Sequence, residues 1–265
     1  MENLDFDSLE DSSENVYFSI MLIISVIIYI ILAVSVIGMV YILFLFPLVL
    51  LAHGITIGTI KHNSVQITSN QFGDIYAKIE KYSEQLGLTK VPSAYLMQEG
   101  GALNAFATRF CSRDFMVIYS EVLDLAYEEG EDAVNFIIAH ELAHIKRKHM
   151  AKKRYVIGAE IIPFLGTAYS RACERTCDNF ATALAHKNAL NGMLVLISGK
   201  KLYKKVNVEA LIKNAQYERG FWTWMAEISS THPTLIDRII SIRSLQARFE
   251  PVSEIQAESV FSVCN

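Results

Sequence analysis

Hydrophobic and polar positions change pattern twice along this chain. From Val16 to Leu51 almost every position is Ile, Leu, Val, Phe, Met or Tyr, and the 46 residues between Glu14 and Lys61 include no Asp, Glu, Lys or Arg. A helix needs about 20 apolar residues to cross roughly 30 Å of hydrocarbon, so the run is long for one span and about right for two. Two spans with Gly38 near the turn is the preferred reading, and one long tilted helix kinked at Pro47 is the alternative. A cleaved signal peptide is disfavoured, because the leading residues are acidic and the apolar run is too long.

Beyond Lys61 the texture is that of a folded domain. Phe72, Ile75, Ile79, Tyr82 and Leu86 recur at helical spacing and predict a helix over Thr68 to Leu86 with Ser69 as its cap. The short runs Ser93 to Met97 and Phe115 to Tyr119 flank Gly100, Gly101 and the segment Asn104 to Phe110, which predicts a small antiparallel sheet. Ser120 or Glu121 can open the next helix, and Glu131 or Asp132 a further one running to about Met150. Residues 171–200 and 231–247 are helix-like, the latter with Pro233 in its first turn. The fold class is therefore α+β and mostly helical, preceded by an N-terminal transmembrane segment. Residues 1–15 read as an acidic tail, 16–60 as the membrane region, 61–250 as the domain and 251–265 as a C-terminal tail.

Charge sharpens this division. Six acids (Glu2, Asp5, Asp7, Glu10, Asp11, Glu14) and no Lys or Arg precede Lys61, which leaves 22 acids against 24 bases in the remainder. So nearly neutral a domain offers no field for phosphates, and no nucleic-acid partner is expected. The first bases after the apolar run are Lys61, Lys78 and Lys81, which by the positive-inside bias place the domain on the cytoplasmic side of a plasma (inner) membrane. The cysteines Cys111, Cys173, Cys177 and Cys264 show no paired metal spacing and read as free thiols of a reducing compartment. The basic cluster from Lys146 to Arg154 can face anionic headgroups or simply close a solvated helix end.

The chemistry lies in His140-Glu141-Leu142-Ala143-His144. Residues i and i+4 share a helix face, so the two imidazoles can hold one metal ion while Glu141 lies beside them, within reach of a metal-activated water. Flanking Ile137, Ile138, Ala139 and Ile145 predict a buried helix, and three polar groups buried together need a reason. A catalytic zinc takes three protein ligands and leaves one position open. A metzincin would place its third histidine at position 150, which is Met. Downstream, Glu174 and Asp178 stand one helical turn apart in an otherwise apolar stretch. Glu174 can serve as third ligand and Asp178 can accept the N–H of a ligating imidazole. His149 and His186 have no matching partners and are left out of the site.

These residues, with Leu103 to Thr108, Tyr169 to Glu174 and Thr231-His232-Pro233, occur in an order that resembles the HtpX-like and CAAX-prenyl-protease-like integral-membrane zinc metallopeptidases. The resemblance spans most of residues 60–245. It implies a zincin-type catalytic domain with His140, His144 and Glu174 as ligands of one Zn2+ per chain, Glu141 as catalytic base and Asp178 as the orienting carboxylate. It further implies that Asn104, with Ala105 and Phe106, lies on a substrate-binding edge strand, and that His232 and Arg238 approach the cleft as catalytic groups. In one respect the chain departs from HtpX: Val156 to Ala168 is short, interrupted by Glu160 and Pro163, and predicts no third span.

The expected activity is a membrane-anchored zinc metalloendopeptidase, with protein or peptide substrates and the lipid bilayer as partners. Edge-strand binding reads backbone more than side chains, which favours unfolded or membrane-protein substrates in quality control. A dedicated processing peptidase is the alternative enzyme. A non-catalytic membrane-anchored adaptor is the alternative outside catalysis, though it leaves Glu141 without a purpose.

Overall fold

The computed structural model describes residues 5–101, 104–129, 132–218 and 220–249. Leu103, Glu131, Cys264 and the expected C-terminal tail lie outside the described residues. The apolar run forms two helices, α1 (Ser12–Val34) and α2 (Val36–Asn63), each long and apolar enough to cross a membrane. The break falls at Ser35, not at Pro47, which stays inside α2. Extended backbone at Ser35 (ψ 139°) ends α1, and its hydroxyl accepts the Gly38 N–H at 2.9 Å to start α2. The corner requires a glycine: a Cβ on Gly38 would come within 2.0 Å of the Leu32 carbonyl oxygen.

A four-stranded sheet follows, built from β1 (Val65–Ile67), β2 (Ser93–Met97), β3 (Ala105–Phe110) and β4 (Arg113–Tyr119) in the order β1-β2-β4-β3. The sheet is mixed, where an antiparallel one was expected. β3 and β4 form a hairpin through Cys111 and Ser112, both at positive φ (45° and 62°), as a tight two-residue turn demands. β4 then lies between β3 and β2 and runs parallel to β2, leaving β3 at the edge. The helix α3 (Gly73–Gln85) starts later than its apolar spacing suggested, because Thr68 and Gln71 pair in a turn instead of opening it.

The helices α4 (Ser120–Glu129), α5 (Asp132–Lys146), α6 (His149–Val156), α7 (Leu165–Leu184) and α8 (Ala189–Ser198) build the core. α5 is its axis: Val134, Phe136, Ile138, Ala139, Leu142 and Ala143 are fully enclosed, as an apolar pattern on all sides of a helix requires. Small residues on α7 (Ala172, Cys173, Cys177, Ala181) let it pack closely against α5, and Gly192 of α8 faces Phe136 where a Cβ would come within 2.6 Å. A 3-10 turn, Ile157–Ile161, links α6 to α7, so no helix long enough to span arises there. The helices α9 (Val208–Tyr217), α10 (Phe221–Ser229) and α11 (Leu235–Phe249) complete the described fold. Trp222 and Trp224 on α10 are exposed.

Both apolar helices dock on this domain through clusters of their own. Met21 of α1 packs with Val156, Ala159, Tyr169 and Cys173, while Ile57 and Ile60 of α2 pack on Tyr95, Phe115 and Val117 of the sheet. The residues just before α1 do not dangle as a tail. Phe6 meets the Phe180 ring at 4.9 Å, Asn179 donates to the Leu9 carbonyl, and Thr176 accepts the Asp11 N–H. Arg147 pairs with Glu10 and Glu14, Lys152 with Glu14, and Arg175 with Asp11. Part of the basic cluster is therefore neutralised inside the molecule, and the start of α1 and the end of α2 both sit against the domain.

Candidate metal centre

α5 carries His140, Glu141 and His144 on consecutive turns, and α7 crosses it so that Glu174 faces both imidazoles. The Nε2 atoms of His140 and His144 stand 3.2 Å apart. Glu174 Oε2 lies 3.3 Å from the first and Oε1 3.3 Å from the second. One carboxylate oxygen thus faces each imidazole, and the three residues each offer a donor atom within 4.8 Å of the others, a nitrogen and oxygen set that suits one first-row divalent ion.

Behind this cluster the supporting contacts are specific. Asp178, one turn along α7 from Glu174, places Oδ1 3.0 Å from His140 Nδ1. Arg238 from α11 donates two hydrogen bonds of 2.7 Å to the Asp178 carboxylate. Burial pushes the Asp178 carboxyl up, but the facing Arg238 guanidinium and His140 outweigh it and hold the group below the ordinary carboxylate range. Arg238 comes into register because Thr234 caps α11, accepting the Asp237 N–H at 3.1 Å. Its guanidinium binds Asp178, lies 3.9 Å from Glu174 and also lines the cavity described below.

Glu141 lines the same cavity as the two imidazoles. Its carboxyl is raised above the usual value, first by burial and then by the Glu174 charge, against the opposing pull of the two histidines and the Ala107 N–H. A raised carboxyl lining a cavity beside two imidazoles is suited to holding and returning a proton.

A cavity of about 320 Å³ opens on this face. It gathers Asn104, Ala105 and Phe106 from the edge strand, His140, Glu141 and His144 from α5, Glu174 from α7, and His232 and Arg238 from around the start of α11. Asp178 stands behind His140. His232 is more than half exposed, with Nε2 3.6 Å from Glu174 Oε2 and Nδ1 3.0 Å from the Thr231 hydroxyl. Arg171 pins the segment leading to it by donating to the Glu227, Ile228 and Ser230 carbonyls at 3.0, 3.0 and 2.8 Å. Asn104 lines the cavity, and its Oδ1 accepts the N–H of Ala105 at 2.9 Å.

Sequence reasoning missed two groups. Leu196 of α8 lines the cavity without any local chemical signal. His149, set aside for lack of a partner, lies against His144 with Nδ1 atoms 2.9 Å apart. Burial pushes His149 down to about 4, against the opposing pull of Glu14. Only its position just past His144 could have drawn notice.

Two histidines one turn apart, a glutamate between them and a carboxylate facing them from a second helix make the residue pattern of a metallopeptidase. The model of Peptidase family M48 matches residues 69–159, and that of Peptidase U49 matches residues 121–257, more than half of the chain. The chain belongs to the Peptidase U49 family, and residues 69–159 are similar to Peptidase family M48, a metallopeptidase family. No curated protein matches it.

Proposed function

We propose that the protein is an HtpX-like, membrane-anchored zinc endopeptidase that cleaves extended segments of unfolded or membrane-inserted proteins. The observation that carries this reading is the cluster of His140, His144 and Glu174, whose facing donor atoms lie 3.2–3.3 Å apart, with the enclosed Glu141 beside it. Zinc, when bound there, supplies Lewis-acid activation of water and of the scissile carbonyl. Glu141 takes the proton of the attacking water and returns it to the leaving amine, a transfer favoured by its raised pKa. His232, which lines the cavity from an exposed position, donates to the developing oxyanion. Arg238 acts through Asp178, keeping His140 in its ligating orientation.

The edge position of β3 supports binding of substrate backbone along Ala105 and Phe106, which selects for extended chain over a fixed side-chain motif. The acidic segment before α1 is ion-paired to the domain that follows α2, so both ends of the hairpin share one side of the membrane. Lys61, Lys78 and Lys81 favour the cytoplasmic face of the plasma membrane for that side. Proximity to the bilayer then raises the effective concentration of membrane-protein loops and tails.

The test is metal content and casein cleavage of the detergent-solubilised full chain. Wild type is expected to hold one zinc and to lose cleavage to a chelator, with recovery on zinc addition. Glu174→Ala is expected to lose both zinc and cleavage. A wild type that binds zinc stoichiometrically but cleaves no unfolded protein would instead favour the adaptor reading.

A further inference from the structure

His140 and His144 both turn Nε2 toward Glu174. A neutral imidazole carries one proton, so a histidine that ligates through Nε2 must hold it on Nδ1 and needs an acceptor there. For His140 that acceptor is Asp178. Among the described residues no carboxylate reaches His144 Nδ1; the atom facing it at 2.9 Å is Nδ1 of His149, itself buried. Of two nitrogens at this distance one donates and the other accepts. Ligation makes His144 the donor, so His149 Nδ1 accepts and the proton of His149 sits on Nε2. Oε1 of Glu14, a fully enclosed carboxylate in the first turn of α1, lies 3.2 Å from that atom, within reach of it though off the hydrogen-bonding direction. Cys177 Sγ, 3.7 Å from His149 Nδ1, agrees with this assignment, since a thiol can donate to the same acceptor.

Local geometry explains why His149 arrives there. On an uninterrupted helix a residue five positions after His144 would sit about 140° around the axis. Lys148 adopts a left-handed conformation (φ 57°) that ends α5 and redirects the chain into α6. Glu14 is held in turn by Arg147 Nη2 at 2.9 Å and Lys152 Nζ at 3.2 Å.

Building on the assignment of His144 as a ligand, we propose that Glu14 and His149 form a relay that fixes the tautomer and orientation of His144. The first turn of an N-terminal apolar helix thereby supplies a positioning group to the metal centre. An opposing reading exists in the same atoms: Glu14, His149 and Cys173 stand close enough to hold an ion of their own. That would require His149 Nε2 to give up the proton the relay places on it.

The experiment measures zinc affinity of the full chain in detergent by competition with a chelator of known affinity, for wild type, His149→Leu and His149→Gln. Visible spectra of the Co2+-loaded proteins and melting of the metal-free proteins are recorded in parallel. The relay predicts that His149→Leu weakens zinc binding by roughly 10–100-fold and alters the Co2+ spectrum. His149→Gln, whose amide can both accept from His144 and donate to Glu14, recovers most of the affinity. Unchanged affinity and spectrum in His149→Leu would overturn the relay. So would equal loss in both variants accompanied by equal loss of metal-free stability, which marks a packing residue only. Two metals in wild type, one of them lost in His149→Leu, would make His149 a ligand and overturn it as well. A wild type without metal would remove the ligand assignment itself, and the relay with it.

Discussion

The two histidines of α5 present the same atom to the same point, yet they are supported from opposite parts of the molecule. Behind His140 stand Asp178 of α7 and Arg238 of α11, a buried carboxylate and a guanidinium joined by two 2.7 Å hydrogen bonds. Behind His144 stand His149 of α6 and, beyond it, Glu14 of α1. The first support is complete within the domain. The second depends on an apolar helix docking through Met21 and on the clamp of Glu10, Asp11 and Glu14 against Arg147, Lys152 and Arg175. A metal centre so divided couples its geometry to the seating of the membrane anchor, because a ligand whose acceptor is displaced loses its preferred tautomer.

The largest effect should leave both supports intact. Glu141→Gln is expected to lower turnover of an unfolded protein by roughly 10²–10⁴ while zinc content stays at the wild-type level. Retained turnover would remove Glu141 from the chemistry and leave the two supports with nothing catalytic to serve.

Next in size is Arg238→Met, which strands the Asp178 carboxylate in a buried site. Removing one partner of such a pair costs about 3–5 kcal/mol, to be read from denaturant unfolding of the metal-free protein. Asp178→Asn keeps the shape and removes the charge behind His140; zinc affinity should fall by roughly 10–100-fold, read by chelator competition. If Asp178→Asn fell far outside the range found for His149→Leu, the two supports would not be equivalent in function.

The smallest effect belongs to Arg175→Met, which cuts a partly exposed pair with Asp11 at the far end of the clamp. A pair of that exposure is worth about 1 kcal/mol or less, and zinc affinity is expected to stay at the wild-type level. A loss matching that of Arg238→Met would show the clamp and the buried pair to be one cooperative unit.

What could be read directly from the chain was whatever rests on covalent periodicity. His140 and His144 share a face because a helix turns every 3.6 residues, and Glu174 and Asp178 do so for the same reason. The long uncharged run declared two membrane-length helices, and the apolar flanks of His140 declared a buried helix. Local signals failed where competing local interactions or distant partners decide. Ser35 broke the apolar run because a hydroxyl cap and a glycine corner beat the proline, and the Thr68–Gln71 turn delayed α3. The parallel pairing of β2 with β4 followed from where the β3–β4 hairpin was inserted. Arg238 joined Asp178 because α11 packs across α7. His149 joined Glu14 because Lys148 bends the chain and α1 docks beside α7. By itself, then, the sequence determined the spacing of His140, Glu141 and His144, that of Glu174 and Asp178, and the apolar run long enough for membrane-length helices, all of which need only the geometry of a single segment. Only the tertiary structure decided which groups hold each ligand in place, since a buried hydrogen bond is settled by whichever donor and acceptor the packed helices bring together.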